Sequence, residues 1–190
     1  MASSHKEVEI KFRVTEIRGL ERKLLASGFR SVTPRQHEMN TLYDFADNRL
    51  RKRQELLRLR KYGKQWTLTH KGKGGRGRHK SREETETSVV DGDKVHRIFA
   101  ALGLHPSFRY EKFRSEWSDG KGVVVVDETP IGNFAEIEGR PRWIDATARK
   151  LEVRPRDYIT LNYAGLFLAW KHRQRSPARE MTFAAVKGKV

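Results

Sequence analysis

The stretch Glu7-Val8-Glu9-Ile10-Lys11-Phe12-Arg13-Val14 alternates charged and apolar side chains without a break. Successive side chains of a β-strand point to opposite sides, so the alternation predicts a strand with one charged face and one apolar face. A solvated edge strand has the same pattern. Several later strands, however, also carry charged residues on a single face, which favours a charged surface shared between strands.

The composition predicts one folded domain without disulfides. The chain has 190 residues, of which 36% are hydrophobic and 34% charged, and this length suits one domain with a sizeable core. It contains no cysteine, which excludes disulfides and thiolate metal sites and favours a reducing cytoplasm. No apolar run approaches the ~20 residues that span a bilayer, and the amino-terminal residues lack an apolar signal region. We therefore expect a cytoplasmic protein without a membrane partner.

The positive charge is unevenly distributed along the chain. A net charge of +16 would suit a nucleic acid, but much of it lies in the glycine-rich stretch around residues 71–82 and in residues 171–190. We interpret these stretches as a loop and a flexible basic tail. The division is then a single domain over residues 1–175 and a tail over residues 176–190. Nucleic acid is not expected as the main partner, and a non-catalytic polyphosphate- or RNA-binding module is the alternative from a different class.

The order of the predicted elements indicates the fold class. About eight strand candidates are joined mostly by hairpins, such as the one over residues 56–71, and amphipathic helices are predicted over residues 15–27 and 93–102. The helices are too few for βαβ units. We predict an α+β, mainly antiparallel fold, in which eight strands close into a barrel tunnel and the helices pack outside. The charged faces would then line the interior.

Such an interior would bring carboxylates and cations together. Glu7 and Glu9, like Glu136 and Glu138, stand two positions apart on one strand, within reach of one divalent cation that prefers oxygen ligands. Arginine and lysine bind phosphate oxygens, the first as a fork and the second as a point charge. The cations on the charged faces are Lys11, Arg58, Arg60, Lys71, Arg82, Lys112 and Arg114. The pattern predicts a site for a polyphosphate with a metal ion.

These segments resemble the CYTH family, also called triphosphate tunnel metalloenzymes. Glu7-Val8-Glu9-Ile10-Lys11 is similar to the family's amino-terminal Glu-x-Glu-x-Lys signature. The motifs that follow in family order are Arg58-Leu59-Arg60, Thr67-Leu68-Thr69-His70-Lys71, Arg82-Glu83-Glu84-Thr85-Glu86, Lys112-Phe113-Arg114 and the segment over residues 127–138. The family groups class IV adenylyl cyclases, thiamine triphosphatases and inorganic triphosphatases. The resemblance implies an eight-stranded antiparallel tunnel with helices outside.

The resemblance also implies roles for individual residues. The seven cations would bind the triphosphate, and Mg²⁺ or Mn²⁺ would be bound by Glu7, Glu9, Glu136 and Glu138, with Asp127 as a further acidic residue of the metal site. Tyr43 resembles a family tyrosine that pairs with the lysine at the position of Lys71, so these two are the predicted catalytic residues. The alternative for Tyr43 is an aromatic side chain in the barrel wall.

One motif departs from the family pattern. Leu161-Asn162-Tyr163 is similar to a Ser-Tyr motif on the carboxy-terminal helix of the family, with asparagine in place of serine. For Tyr163 we therefore favour core packing over a role in the site.

The predicted activity is metal-dependent attack on a phosphorus atom of a triphosphate. Attack by water would make the protein a triphosphatase, which we favour because hydrolysis requires only triphosphate, metal and water. Attack by a ribose hydroxyl on ATP would give cyclic AMP and diphosphate, so a class IV adenylyl cyclase is the alternative. By resemblance to the cyclases, a homodimer is also expected.

Overall fold

The computed structural model describes residues 3–74 and 80–187, and it describes side chains over residues 8–74 and 81–187. The strands are β1 Ser3–Val14, β2 Arg30–Phe45, β3 Leu56–Tyr62, β4 Gln65–Lys71, β5 Lys80–Val89, β6 Leu104–Ser118, β7 Val123–Thr129 and β8 Gly132–Glu138. The helices are α1 Ile17–Ala26, α2 Arg49–Lys52, α3 Gly92–Ala101, α4 Pro141–Lys150, α5 Tyr163–Gln174 and α6 Phe183–Lys187, with a 3₁₀ turn at Pro155–Asp157.

The eight strands form a closed barrel in the order β1-β5-β4-β3-β2-β6-β7-β8, and β8 returns to β1. Every neighbouring pair is antiparallel. The predicted α+β fold with a closed eight-stranded barrel is therefore confirmed. Hairpin connections favour one long antiparallel sheet. Such a sheet twists, and its two edge strands can then pair with each other and close the barrel.

One tight turn shows how the sequence fixes the register of the barrel. Tyr62 pairs with Gln65, which leaves only Gly63 and Lys64 in the turn between β3 and β4. Gly63 has a φ of +59°, and a Cβ at this position would lie 1.6 Å from Nε2 of Gln36. Glycine adopts this φ without strain and leaves room for the Gln36 side chain. The two-residue turn sets which side chains of β3 and β4 face the interior.

Strand β2 begins earlier than its sequence pattern predicts. The alternating pattern indicates a strand from His37, whereas β2 begins at Arg30. The pairing of its first half with β6 shifts register between Ser31 and Thr33 and again between Thr33 and Gln36, an interval that contains Pro34. Proline cannot donate a ladder hydrogen bond. The irregular pairing interrupts the alternation that reveals a strand.

The apolar core lies between the barrel and its helices. Helices α1 and α4 cover β1, β7 and β8, with Leu24, Ile137 and Ile144 fully buried. A second apolar cluster joins α5 to β6 and β8, and a third joins α3 to β2, β3 and β4. In the first and third clusters the apolar faces of the strands point outward, as the alternation predicts, and the charged faces point inward. In the second cluster Tyr110 and Phe134 instead lie on the inward faces that also carry Lys112 and Glu136. Over the part of the chain that is described, no helix is long and apolar enough to cross a membrane.

Residues 176–187 pack against β6, where the sequence predicts a flexible tail. Met181 is fully buried, and its backbone pairs with Arg109 and Glu111 of β6. The Glu111 carboxylate accepts a hydrogen bond of 2.6 Å from the backbone N–H of Phe183. These contacts bind the segment to β6. The sequence prediction fails here because basic residues dominate the composition of the segment, and only a few apolar residues make the contact.

Candidate active site

A cavity of about 270 Å³ lies inside the barrel, and charged side chains from six of the eight strands line it. All seven cations selected from the sequence are in this lining, namely Lys11, Arg58, Arg60, Lys71, Arg82, Lys112 and Arg114. The described carboxylates in the lining are Glu9, Glu84, Glu86, Glu116, Glu136 and Glu138. The alternating strands therefore place the predicted binding groups around one space. Their role in binding stays a prediction.

Three carboxylates in this cavity form a candidate metal site. One oxygen from each of Glu9, Glu136 and Glu138 lies within 4.8 Å of the others. Glu9 on β1 is directly opposite Glu138 on β8 in the strand register. Like charges directly opposite each other cost free energy, and a divalent cation between them would offset that cost. Three carboxylate oxygens match the preference of Mg²⁺ and Mn²⁺ for oxygen ligands.

The sequence predicts Glu7 as a ligand of the same metal site, but its side chain lies outside the described residues. Its backbone is part of β1 and is paired with Arg82 of β5. It shares a strand face with Glu9, because the two are separated by one residue. The proposed metal role of Glu7 therefore rests on the sequence alone.

Asp127 occupies a different position from the other predicted metal ligands. It is fully buried, and its oxygens accept hydrogen bonds from Lys112 Nζ at 2.8 Å, Arg114 Nε at 2.7 Å and Tyr163 Oη at 2.5 Å. It does not belong to the group of three carboxylates described above. The geometry therefore does not support Asp127 as a metal ligand. It supports a role in fixing Lys112 and Arg114, two of the cations predicted to bind phosphate.

Glu38 is a buried carboxylate that sequence reasoning missed. It is fully buried on β2, its Oε1 lies 3.4 Å from Lys112 Nζ, and its Oε2 lies 3.7 Å from Arg114 Nε. Burial acts to raise the pKa of Glu38, but the charges of Lys112 and Arg114 prevail and hold this pKa well below its usual range. The stretch His37-Glu38-Met39-Asn40 lacks the regular alternation of charged and apolar residues that marks β1. The sequence pattern therefore does not indicate that Glu38 faces inward.

Lys71 lies in the cavity as predicted, on the strand next to β5. Its Nζ is 2.9 Å from Glu84 Oε2, and the two residues are directly opposite in the register of β4 and β5. Arg58 and Arg60 approach the same strand, with Arg60 Nη2 3.4 Å from Glu86 Oε1. Cations and carboxylates thus alternate around the wall. Each of these three cations lies close to a carboxylate of β5, and its remaining donors can face a ligand.

Tyr43 is not in the cavity, and this corrects its predicted pairing with Lys71. Its side chain lies on the outward face of β2, in the apolar cluster that includes Leu59 and Phe99. Its hydroxyl is 2.9 Å from Nδ1 of His96 on α3. The alternation of β2 explains the result, because Glu38 and Asn40 face inward and the odd-numbered Tyr43 must face outward. The position of Tyr43 instead agrees with the alternative given above, an aromatic side chain in the barrel wall.

Tyr163, for which the sequence favours core packing, is both buried and part of the cavity wall. Its hydroxyl donates to Asp127, and Lys11 Nζ lies 4.3 Å from the centre of its ring. Burial, together with the negative charges of Asp127 and Glu136, raises the pKa of Tyr163 well above its usual value. It therefore stays protonated and acts as a donor.

The start of α5 places Tyr163 there. Asn162 is the N-cap, and its side-chain oxygen accepts a 2.9 Å hydrogen bond from the backbone N–H of Gly165. Asparagine and serine are both favoured N-caps, so the departure from the family's Ser-Tyr motif preserves the local structure. The preceding backbone is fixed by a bond of 2.7 Å from the N–H of Ile159 to the carbonyl oxygen of Lys11.

The closed barrel, its inward cations and its carboxylate cluster define a tunnel that can hold a polyanion with a metal ion. Residues 5–153 match the family model of the CYTH domain. This chain belongs to the CYTH family.

Known relatives agree with this assignment. A protein of Methanocaldococcus jannaschii named "putative adenylate cyclase" is 27% identical over 133 residues, which cover 70% of this chain and 75% of the relative. Among solved structures, a "putative adenylate cyclase" from Vibrio parahaemolyticus has a TM-score of 0.75 at 18% identity and covers 87% of this chain and 99% of its own. A Hippeastrum protein, described as a "putative adenylyl cyclase" with a dominant triphosphatase activity, has a TM-score of 0.65 at 16% identity, over 86% and 95% of the two chains. The two structural matches show the shared fold.

Proposed function

We propose that this protein is a divalent-metal-dependent triphosphatase that releases the terminal phosphoryl group of an inorganic or organic triphosphate held in the tunnel. The observation that carries the proposal is the convergence of seven cations on one cavity beside a cluster of three carboxylates. The activity described for the Hippeastrum relative supports it. A binding module for nucleic acid alone would not need the carboxylates, which repel phosphate.

The donor set of Glu9, Glu136 and Glu138 fits Mg²⁺ or Mn²⁺ and would hold the ion. When bound, such an ion supplies neutralisation of phosphate charge and polarisation of the phosphoryl group. Glu136 also accepts a hydrogen bond of 2.8 Å from Arg114 and lies 3.0 Å from Lys11 Nζ. The metal site and the phosphate site would therefore be contiguous.

The charge of the lining supports a requirement for metal. The seven cations are nearly matched by the six described carboxylates of the cavity wall, and the buried Glu38 and Asp127 add two more negative charges behind it. The described wall thus offers little net positive charge to a triphosphate, which carries several negative charges. A divalent cation would supply the difference.

The roles of the remaining residues follow from their positions. Arg58 and Arg60 would orient the phosphate oxygens, and Lys11, Lys112 and Arg114, held by buried carboxylates, would keep the chain of phosphates in a fixed place for in-line attack. Lys71 is our candidate for the catalytic lysine. With Tyr43 outside the cavity, Glu84 at 2.9 Å is the group positioned to exchange a proton with Lys71.

A class IV adenylyl cyclase is the second candidate, because the M. jannaschii relative is named as an adenylate cyclase. The two reactions differ in the attacking oxygen and the phosphorus attacked. Hydrolysis gives orthophosphate, whereas cyclisation of ATP gives cyclic AMP and diphosphate. Product identity therefore separates the two functions.

A product assay tests the proposal. Purified protein is given inorganic triphosphate, thiamine triphosphate or ATP with Mg²⁺ or Mn²⁺, and orthophosphate, diphosphate and cyclic AMP are quantified. We expect orthophosphate, and we expect Glu9→Gln/Glu138→Gln to lower kcat/KM by about 100-fold or more, as loss of transition-state electrostatics does. Glu83→Gln, an exposed position on the outward face of β5, is the matched control. Cyclic AMP as the main product would establish the cyclase instead, and neither product would refute catalysis.

A further inference from the structure

A second chamber, of about 470 Å³, adjoins one end of the tunnel. Five residues line both spaces, which places the chamber directly next to the phosphate-binding cations. They are Leu42, Leu56, Arg82, Asn162 and Ala164. A triphosphate held in the tunnel with one end towards Arg82 would therefore direct any group attached to that end into the chamber.

Part of the chamber wall is apolar. Leu42 and Leu56 contribute from the barrel, Phe108 from β6, and Phe167 and Leu168 from α5. Leu168 is 53% exposed, although an apolar side chain of this size is usually covered. Apolar and aromatic walls of this kind bind the ring of an organic group. Inorganic triphosphate would leave this wall unused.

The chamber also has a basic rim, which we define as Arg51, Lys171 and Arg179. They come from α2, from the last turn of α5 and from the segment after it. Within residues 8–74 and 81–187, no carboxylate oxygen lies within 4.0 Å of a side-chain nitrogen of any of the three, since none of the ion pairs there includes them. These charges are separate from the seven that line the tunnel.

The two carboxylates in the chamber wall are engaged in other contacts. The oxygens of Asp44 accept backbone hydrogen bonds from Phe45, Leu50 and Arg51, which fixes the start of α2. Glu55 lies 3.8 Å from Nε2 of His70. The chamber therefore combines an apolar wall with three cations whose side chains form no ion pair among the described residues, which fits a ligand with both a flat organic ring and an anionic group.

We propose that the chamber binds the organic group of a nucleoside 5′-triphosphate that carries a further phosphate on its sugar, and that the basic rim binds this extra phosphate. The proposal rests on the proposed triphosphatase function. Water would form a bond to the terminal phosphorus while the bond from that phosphorus to the bridging oxygen breaks. The electron pair stays on the diphosphate, one proton passes to solvent, and the sugar phosphate is unchanged.

The extra phosphate could belong to a free nucleotide or to the 5′ end of an RNA chain, which share this chemistry. The test compares ATP, adenosine 3′-phosphate 5′-triphosphate and a 5′-triphosphorylated oligoribonucleotide, with orthophosphate release as the readout. We expect the 3′-phosphate to lower KM by roughly tenfold relative to ATP, as one well-placed charge pair can. A still lower KM for the oligonucleotide assigns the site to RNA ends, and a higher one assigns it to free nucleotides.

A matched pair of variants separates the rim from general charge. Arg51→Gln/Arg179→Gln should abolish the preference for the 3′-phosphate and leave KM for inorganic triphosphate within about twofold, because these residues lie outside the tunnel. Arg142→Gln/Arg149→Gln removes two exposed arginines of α4 and should change neither value. Equal KM values for ATP and its 3′-phosphate, or equal effects of the two double variants, would overturn the proposal.

Failure of the proposed function would be recognisable on its own. If no triphosphate is hydrolysed, the triphosphatase proposal fails, and calorimetric titration of ATP and adenosine 3′-phosphate 5′-triphosphate still tests the chamber. Tighter binding of the 3′-phosphate, lost in Arg51→Gln/Arg179→Gln, would support the rim site. Equal affinities would refute it.

Discussion

The role of each carboxylate inside the barrel depends on its cross-strand neighbours. Glu9 is opposite Glu138, so two negative charges meet and favour a metal ion. Asp127 is opposite Arg114, so its charge is used within the wall. The residue type is nearly the same in each case. The register of the strands therefore decides which carboxylates can bind a metal and which hold a cation in place.

We predict that Glu38→Gln destabilises the protein by about 3–5 kcal/mol near neutral pH, because it removes a buried charge that Lys112 and Arg114 require. The pKa of Glu38 is lowered by folding from an ordinary value of 4.5. Its contribution is therefore present above that value and is lost as the pH falls below it. The difference between wild type and variant should shrink accordingly.

Urea denaturation near neutral pH and again near pH 3 measures this difference. Glu83→Gln, on the exposed outward face of β5, should change the unfolding free energy by less than about 0.5 kcal/mol. A difference for Glu38→Gln that is the same at both pH values would contradict the ionised state assigned to Glu38.

At the scale of elements, the helices stabilise the barrel from outside and reach the cavity at one place. Helix α3 contacts the outward face of β2 through Phe99 and His96, both of which pack against Tyr43. Helix α5 instead begins at the cavity wall, where Tyr163 enters it. Tyr43 and Tyr163 therefore differ in their access to the cavity, because Tyr43 lies on the outward face of β2 and Tyr163 lies at the start of α5.

Tyr43→Phe should leave kcat for triphosphate within about twofold of the wild-type value, because the hydroxyl contacts His96 and not the cavity. We expect a loss of about 0.5–1.5 kcal/mol in unfolding free energy from the missing hydrogen bond. Lys71→Gln, in contrast, should lower kcat by about 100-fold or more. Steady-state kinetics and urea denaturation of both variants provide the measurement. A large loss of kcat in Tyr43→Phe would restore its catalytic assignment.

The carboxy-terminal segment is expected to contribute to the stability of the barrel. Met181→Ala should lower the unfolding free energy by about 2–5 kcal/mol, because Met181 is fully buried against β6 and truncation leaves a cavity. Val90→Ala is the control, since Val90 is fully exposed. Chemical denaturation of the whole chain compares the two. Equal, small effects would mean that residues 176–187 are the flexible tail that the sequence predicts.

At the scale of the whole molecule, charge separates into an interior that is nearly balanced and an exterior that is strongly basic. The net charge is +16, yet the described cavity wall carries nearly equal numbers of cations and carboxylates. The exterior field would attract anionic ligands over distance. The balanced interior would then discriminate in favour of a triphosphate that arrives with its metal ion.

This balance predicts linked binding of metal and triphosphate. Mn²⁺ and triphosphate together should raise Tm by more than the sum of their separate effects, because each supplies charge that the other requires. Glu9→Gln/Glu138→Gln should reduce the combined shift to that of triphosphate alone. Scanning calorimetry with each addition measures the shifts. Additive shifts in the wild-type protein would contradict the coupling.

The sequence by itself determined the barrel and the identity of its cations. Side chains alternate with a period of two, so Lys11, Arg58 and Arg60 reveal their shared face from local spacing alone. The same rule, applied strictly, also places Tyr43 on the outer face of β2 beside the inward Glu38. The motif resemblance suggested otherwise, and the structure follows the alternation.

Only the tertiary structure decided which charged groups meet. The pairing of Asp127 with Lys112 and Arg114, and of Glu9 with Glu138, depends on contacts between strands and on their register. The entry of Tyr163 into the wall depends on where α5 begins relative to β1. The chamber with its basic rim joins α2, α5 and the segment after it, which are distant along the chain. Local patterns fix the face of each residue, whereas its partners across the barrel are set by closure of the sheet.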